Sequence, residues 1–138
     1  MNNLVTVDIR DHVADVRLNR PQKRNALSPA MFDAISAMAR ELAVDRGVRA
    51  VVLSGEGKAF CAGLDLAAFA ESFSQPGAFP ANPSAVYPNR FQAPAYLWKK
   101  VPVPVICALH GAAFGGGLQV ALGADVRLAA PGTRLSLR

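Results

Sequence analysis

Residues 105–122 read VICALHGAAFGGGLQVAL, and this stretch determines the fold class. Val105–Leu109 is a short apolar run typical of a buried strand, and residues 118–122 have the composition of a helix. The three glycines at 115–117 lie between them, and Val126–Ala129 predicts a further strand. Strand, glycine-rich turn, helix and strand in this order are the pattern of an α/β crossover.

The preceding part of the chain predicts a hairpin, a buried strand and a short helix. Apolar and polar residues alternate over 4–10 and again over 13–19, with a polar turn between them, which is the pattern of a β-hairpin. Residues 50–53 form a continuous apolar run that predicts a strand buried on both faces. Residues 66–73 predict a helix.

A longer amphipathic helix is predicted between the hairpin and that strand. Ser28 followed by Pro29 indicates its start. A serine hydroxyl can accept one of the unpaired N–H groups at a helix start, and proline fits the first helical position because no N–H is needed there. Gly47 predicts a left-handed residue that ends the helix. The apolar stripe expected to face the core consists of Met31, Ile35, Met38 and Leu42.

Length and proline content indicate one domain with an internal loop. A chain of 138 residues has room for a single domain, so residues 1–138 are treated as one unit. Seven of the ten prolines lie between Pro76 and Pro104, and residues 74–89 therefore predict a Pro-rich loop within the domain. A short helix ending at Lys100 is expected to follow it.

Composition excludes several classes of protein. With 51% hydrophobic and 18% charged residues the chain is not a disordered one. Its longest apolar stretch, residues 101–109, contains two prolines and is too short for a membrane span. The net charge of +5 comes from scattered bases without interleaved aromatics, so no nucleic-acid partner is expected. Two cysteines in unlike contexts, without metal-ligand spacing, indicate a reducing, cytoplasmic setting and no metal site.

The glycine-rich turn does not match the known phosphate-binding or nucleophile motifs. It lacks the lysine of a Walker-type loop, the third glycine of the dinucleotide fingerprint, and the serine of a hydrolase elbow. Three residues without a Cβ atom let another group approach the backbone at a helix start, where N–H groups point outward. The alternative is that the glycines only permit close packing of strand and helix.

A second small-residue turn favours the first interpretation. Residues 59–66 read AFCAGLDL, follow the predicted strand at 50–53, and end near Asp65, which is also a natural helix cap. Two such turns, each at a strand end, can offer two backbone N–H groups to one oxygen atom. That arrangement is an oxyanion hole.

Three segments together resemble the crotonase (enoyl-CoA hydratase/isomerase) superfamily. They are NRP at 19–21 with NAL at 25–27, AFCAGLDL at 59–66, and HG at 110–111 with GGG at 115–117. Their order and spacing agree over essentially the whole chain. The resemblance implies an α/β fold of repeated β-β-α units, an acyl-CoA thioester as ligand, and no cofactor other than the coenzyme A that the substrate carries.

The resemblance also implies roles for individual residues. The backbone N–H groups of Leu64 and Gly116 would bind the thioester oxygen. For the basic pair at 23–24 physical chemistry agrees with a role in CoA binding, since the CoA phosphates need cations. The alternative is that this pair belongs to a solvated basic loop. His110 is expected to be structural, and Cys61 to be a buried thiol without a neighbouring base. The residues implied to contact the CoA are Lys23, Arg24, Ala26, Ala62, Gly63, Asp65 and Leu66.

The sequence departs from the family at its acid–base positions. Hydratases carry a first glutamate two residues after the glycine triplet, where this chain has Gln119, and a second would fall immediately after Arg138. A neutral amide orients a water molecule but cannot take its proton, so isomerase-like or other one-base chemistry is predicted. The alternative is a catalytically inactive CoA-binding or subunit-interaction remnant. We expect an N-terminal portion lacking the family's C-terminal helices, and a homo-trimer or dimer of trimers when full length.

Overall fold

The computed structural model describes residues 3–74 and 87–137. The strands in this part of the chain are β1 Val5–Arg10, β2 Val13–Leu18, β3 Ala50–Gly55, β4 Val105–Leu109, β5 Ala112–Phe114, β6 Val126–Ala129 and β7 Arg134–Ser136. The α-helices are α1 Pro29–Val44, α2 Leu66–Phe73, α3 Ala93–Tyr96 and α4 Gly116–Leu122. Two short 3-10 turns, Pro21–Lys23 and Leu97–Lys100, lie before α1 and after α3.

A five-stranded mixed sheet forms the centre of the fold, in the order β1-β2-β3-β4-β6. The predicted hairpin is confirmed, since β1 and β2 pair antiparallel with Val5 opposite Leu18. The remaining pairs of this sheet are parallel, and each needs a crossover connection. The chain order strand, strand, helix occurs in β1-β2-α1 and again in β4-β5-α4, which agrees with the predicted α/β fold of β-β-α units, although β1 pairs with β2 whereas β5 pairs with β7.

Helix α1 packs its predicted apolar stripe into the core. The Ser28 hydroxyl accepts the N–H of Met31 at 3.2 Å, as expected of a cap. The prediction of a left-handed Gly47 is wrong. Asp45 is extended (φ −78°, ψ 107°) and its carboxylate accepts the N–H of Gly47 at 2.8 Å, so a side-chain turn ends the helix instead.

The two central parallel strands bury alternate residues. Val51 and Leu53 on β3 are fully buried, whereas Val52 between them is only half-buried. β3 is therefore fully buried on one face only, and the predicted burial on both faces is wrong for the face that carries Val52. The largest side chains of the core that are fully buried include Leu18, Met31, Ile35, Leu53, Phe60, Trp98 and Val105.

A second, smaller layer was not predicted from the sequence. Strands β5 and β7 pair in parallel, with Ala113 opposite Leu135. Single parallel bridges extend this layer, because Cys61 pairs with Ala113 and Leu27 pairs with Leu64. The layer brings residues 24–27 and 61–65 beside the glycine-rich turn.

The remaining sequence predictions concern segment ends and the loop. The short helix ending at Lys100 is confirmed as α3 with its 3-10 continuation, and α4 begins at Gly116, earlier than predicted. Most of the predicted Pro-rich loop at 74–89 lies outside the described residues. In the part of the chain that the structure describes, every helix is too short or too polar to cross a membrane.

Candidate active site

An apolar cavity of about 400 Å³ lies where α2, α3 and α4 meet. Among its described lining residues only Gln119 has a polar side chain. Such a cavity accepts an apolar group and offers it one amide for orientation. The lining residues are Leu27, Phe32, Leu64, Leu66, Phe69, Ala70, Phe73, Phe91, Pro94, Ala95, Gly116, Gln119 and Val120.

The direction of the Leu64 N–H follows from its own peptide group. The N–H of Leu27 donates to the Gly63 carbonyl at 2.7 Å. Because a trans peptide is planar, its C=O and N–H point in opposite directions, so the Leu64 N–H points away from Leu27. Gly63 has φ +95°, and a Cβ atom there would lie 3.0 Å from the Phe114 carbonyl oxygen. Only glycine therefore allows this close approach to β5 without strain.

The direction of the Gly116 N–H follows in the same way. The carbonyl of Gly115 accepts the N–H of Gln119 at 3.1 Å, which points this carbonyl into α4. The Gly116 N–H of the same peptide therefore points out of the helix start. Gly115 itself has φ 49° and ψ −119°, and its N–H donates to Ser136 of β7 at 2.8 Å.

Leu64 and Gly116, whose amides are predicted to bind an oxygen atom, both line the cavity. Within the described residues, neither the Leu64 N–H nor the Gly116 N–H donates to a protein acceptor. A side chain at Gly116 would meet only the end of the flexible Leu27 side chain, with its Cβ atom 2.9 Å from Cδ1.

The described lining residues contribute no titratable side chain to the cavity. Gln119 is exposed and shares the cavity wall with Gly116. His110 lies outside the wall, with its Nε2 atom 2.7 Å from the Gly57 carbonyl oxygen. Among residues 3–74 and 87–137, no three His, Cys, Asp or Glu side chains are grouped as a metal site would need.

Both cysteines are buried thiols. Burial raises the pKa of Cys61 to about 11 and that of Cys107 to about 12, so both are protonated at neutral pH. The Cys61 thiol donates to the Asn25 carbonyl at 3.1 Å. This agrees with the interpretation of Cys61 as a structural residue.

The basic loop predicted to follow the CoA lies next to the Leu64 segment. Lys23 and Arg24 are exposed, and Arg24 adopts a left-handed conformation with φ 48°. The Arg24 carbonyl accepts the N–H of Ala62 at 2.9 Å, which joins the loop to the Leu64 segment. Ala26 is half-buried, and its N–H donates to the Lys23 carbonyl at 2.9 Å.

Asp65 caps α2 and forms an ion pair. One carboxylate oxygen accepts the N–H of Ala68 at 3.2 Å, and the other lies 2.8 Å from Arg20 Nη1. The Ala68 hydrogen bond, and then the Arg20 hydrogen bond, lower the pKa of Asp65 below its ordinary value. Leu66, the first residue of α2, is 75% exposed and lines the cavity.

Two residues that sequence reasoning did not assign to the site hold it together. Arg20 joins Asp65 to the Ala26 carbonyl, to which it donates at 3.0 Å. Asn25 is completely buried, with φ +56°. The signal in the sequence was a polar residue in the NAL segment at 25–27, which also contributes to the family resemblance.

Comparisons with known proteins agree on one family. A profile described as Enoyl-CoA hydratase/isomerase matches residues 8–138. The mitochondrial Delta(3,5)-Delta(2,4)-dienoyl-CoA isomerase of Mus musculus is 38% identical over 120 residues, which are 84% of this chain and 37% of that protein. The probable enoyl-CoA hydratase EchA14 of Mycobacterium tuberculosis is 37% identical over 134 residues, 97% of this chain and 50% of that protein.

Solved structures show the same fold. The crystal structure of an enoyl-CoA hydratase from Bacillus anthracis matches with a TM-score of 0.79 and 30% identity. The match covers 96% of this chain and 50% of that one. The chain therefore spans about half the length of the relatives it matches, or less.

Proposed function

Because this chain belongs to the enoyl-CoA hydratase/isomerase family, we propose that it binds an acyl-CoA and polarises the thioester carbonyl between the N–H groups of Leu64 and Gly116. The observation that carries the proposal is the direction of these two amides. Each belongs to a peptide whose carbonyl is bonded on the opposite side, and the residues Leu64 and Gly116 both line one apolar cavity.

The chemistry of this site is stabilisation of an enolate. Two N–H groups at about 2.7–3.1 Å from the thioester oxygen bind it more strongly as negative charge develops there, which lowers the barrier. The donors are fixed before the reaction, since Leu27 and Gln119 hold the two peptide groups. The apolar wall receives the acyl chain and excludes water from the charged oxygen.

Gln119 favours one-base chemistry over hydration. Its amide can orient a water molecule or the substrate but cannot accept a proton, and loss of a general base costs roughly 10²–10⁴ in rate. The similar proteins include both a dienoyl-CoA isomerase and a probable enoyl-CoA hydratase, so the preference for isomerase-like chemistry rests on Gln119. The base itself is not among the described lining residues.

The coenzyme A moiety is assigned to the surface beside the cavity. Lys23 and Arg24 supply exposed cations for its phosphates, with Ala26 on the same loop. The backbone of residues 62–66 would contact the adenine and pantetheine. Coenzyme A enters as part of the substrate, so the proposal includes no separate cofactor. A homo-trimer or dimer of trimers of the full-length protein, and the cytoplasmic setting, remain part of this proposal.

A second candidate function is binding without turnover. It is favoured by the lack of a titratable side chain among the described residues of the cavity wall. Calorimetry with coenzyme A, together with assays on crotonyl-CoA, a 3-enoyl-CoA and a 3,5-dienoyl-CoA, separates the two. Isomerisation supports the enzyme, and affinity for acyl-CoA without turnover of any substrate supports the binding protein.

The proposal is tested by deleting one donor. Gly116→Pro removes the N–H at the first position of α4, where proline is tolerated. Gly116→Ala is the matched control, because it places a similar Cβ atom near Leu27 and keeps the N–H. We measure the infrared carbonyl band of octanoyl-CoA labelled with carbon-13 at the thioester, a saturated ligand that cannot be isomerised.

Binding to the chain should shift the labelled band to lower frequency, since hydrogen bonds weaken the carbonyl. Gly116→Pro should lose much of this shift and about 10²–10³ in any turnover rate, while Gly116→Ala keeps both. An unchanged band in the proline variant would show that Gly116 does not bind the thioester oxygen.

A further inference from the structure

Asn25 is a polar side chain buried completely within the described fold, and all of its hydrogen-bonding groups are used. Its Oδ1 atom accepts the N–H of Arg20 at 2.8 Å. Its Nδ2 atom lies 2.9 Å from the Glu56 carbonyl oxygen, 3.0 Å from that of Ala59 and 3.1 Å from that of Phe60. Only an amide supplies one acceptor and a branched donor at this place, so neither a carboxylate nor an apolar side chain could replace it.

The surroundings of Asn25 are shaped for its side chain. Its backbone has φ +56°, a conformation that asparagine tolerates better than most residues. Gly55 at the end of β3 leaves the space that the amide occupies, because a Cβ atom there would lie 2.8 Å from Asn25 Nδ2 and 2.6 Å from the Phe60 carbonyl oxygen. The side chain thus fastens the loop after β2 to the turn after β3.

This fastening extends to the Leu64 peptide. Residues 24–27 run parallel to 61–65, and the main-chain hydrogen bonds between them are Ala62 to Arg24 at 2.9 Å, Leu27 to Gly63 at 2.7 Å, and Asp65 to Leu27 at 3.0 Å. The Leu27 bond sets the direction in which the Leu64 N–H points. Asn25 holds the segment that carries Leu27, because its side chain is bonded to Arg20, Glu56, Ala59 and Phe60.

We propose that Asn25 is a positioning residue for the oxyanion site: its side-chain amide fixes the 24–27 segment, which holds the Gly63 carbonyl, and thereby aims the Leu64 N–H at the thioester oxygen. The inference rests on the proposed function, since it assigns Asn25 to the Leu64 donor. It differs from a role in stability alone, because it requires the polarisation of a bound thioester to depend on Asn25.

Asn25→Asp tests this with almost no change of shape. An ionised carboxylate faces three carbonyl oxygens, so it repels them, whereas the protonated acid restores one O–H donor. Burial among acceptors favours the protonated form, and acid should therefore restore the geometry. Asn25→Gly is the second variant, since glycine tolerates the left-handed backbone and deletes the clamp. Asn19→Asp is the matched control, because Asn19 donates to the Asn3 carbonyl at 3.0 Å in an exposed place.

The carbonyl shift is compared at pH about 5.5 and about 9, and the other ionisable groups near Asn25 should not change this comparison. The Cys61 thiol has a pKa of about 11 and stays protonated. The Glu56 side chain is paired with Arg17 at 2.8 Å, and the Arg20 side chain is paired with Asp65 at 2.8 Å. Wild type and Asn19→Asp should show the same carbonyl shift at both pH values.

The readout is the labelled carbonyl band of bound octanoyl-CoA, with affinity for free coenzyme A and the circular dichroism spectrum measured in parallel. Asn25→Asp should lose at least half of the band shift at the higher pH and regain it at the lower one, with coenzyme A affinity within about threefold of wild type. Asn25→Gly should lose the shift at both.

Each other outcome overturns the inference. A full shift in both Asn25 variants would show that the clamp does not aim the amide, and the proposed function would stand if Gly116→Pro still loses its shift. Loss of the native spectrum in both variants at both pH values would make Asn25 a determinant of folding only. The absence of any band shift in wild type would remove the proposed function together with the inference.

Discussion

Gly63 and Gly115 each precede one of the two amides assigned to the thioester oxygen, and both have a positive φ, +95° and +49°. At each position the chain turns so that one peptide carbonyl faces a protein donor and the following N–H points away from that donor. A residue with a Cβ atom would resist that turn. This is clearest at Gly63, where an added Cβ atom would lie 3.0 Å from the Phe114 carbonyl oxygen. The proposed site therefore depends on two glycines whose role is to set the backbone conformation.

Asp65 stabilises the frame of the site through its side chain, as its prediction as a helix cap implies. Its two oxygens are taken by Ala68 and Arg20, and the side chains of the ion pair are only 18% (Arg20) and 11% (Asp65) exposed. Its pKa is lowered in the folded state. The ionised form therefore stabilises the fold above the ordinary carboxyl pKa of about 3.9, and this contribution is lost as the pH falls towards the folded-state value.

We predict that Asp65→Asn, which keeps an oxygen for Ala68 but loses the charge opposite Arg20, destabilises the chain by roughly 1–3 kcal/mol at neutral pH. Its unfolding free energy should also fall less than that of wild type when the pH is lowered to about 3. Urea titrations measure both. Asp33→Asn is the control, because its ion pair with Arg90 is exposed (57% and 52%) and should contribute about 1 kcal/mol or less. Equal losses in the two variants would contradict the structural role of Asp65.

At the level of elements, the site is built where the small layer meets α4. The 61–65 segment lies between residues 24–27 on one side and β5 on the other, with the Cys61 N–H donating to Ala112 at 3.1 Å. Helix α4 crosses this segment closely, since a Cβ atom at Gly117 would lie 2.6 Å from Cys61 Cβ and 2.8 Å from its carbonyl oxygen. Gly117 thus sets the distance between the two donor-bearing segments.

Two adjacent alanine substitutions in α4 test that contact. Both gain about 1 kcal/mol of helix propensity. Gly117→Ala must displace buried Cys61, and overpacking of this kind costs about 1–3 kcal/mol, so it should be less stable than Gly116→Ala, which meets only the end of Leu27. Urea unfolding gives the comparison. If the two variants are equally stable, the close approach of α4 to Cys61 does not limit the fold.

For the whole molecule, local sequence patterns predicted most helices and strands but not how these elements assemble. The hairpin, α1 and α2 follow from alternation, helical spacing and caps, which are properties of neighbouring residues. Strands β5 and β7 are three residues each, and they pair across a long stretch of sequence, so no local pattern reveals them. The helix end near Gly47 was predicted from the glycine, but the Asp45 side chain makes the turn.

The residues of the candidate site also divide into those that the sequence indicates and those that only the assembled fold reveals. Small-residue turns at two strand ends indicated where backbone N–H groups are exposed, and the resemblance to the family then selected Leu64 and Gly116. Asn25 and Arg20 could not be selected, because their roles depend on partners up to 45 residues away along the chain, such as Asp65 for Arg20 and Phe60 for Asn25. Buried polar contacts between distant segments appear only when the fold is assembled.

The charge of the whole chain provides the last prediction. The net charge of +5 attracts any anionic ligand, whereas Lys23 and Arg24 are assigned specifically to the coenzyme A phosphates. Lys23→Ala with Arg24→Ala should weaken coenzyme A binding about threefold to tenfold, at about 1 kcal/mol for two exposed charges. Arg46→Ala with Arg49→Ala is the matched control. It removes the same charge beyond the far end of α1, whose 16 residues span about 24 Å, more than two Debye lengths at 0.1 M salt.

Calorimetry at low and high salt measures both double variants, with an acyl-pantetheine that lacks the phosphates as a second ligand. Salt should weaken coenzyme A binding by wild type more than by the Lys23 and Arg24 variant, and should leave acyl-pantetheine binding unchanged, because only the phosphates interact with these cations. Equal loss of affinity in the two double variants would mean that the overall charge attracts the ligand and that the basic loop at 23–24 is a solvated surface.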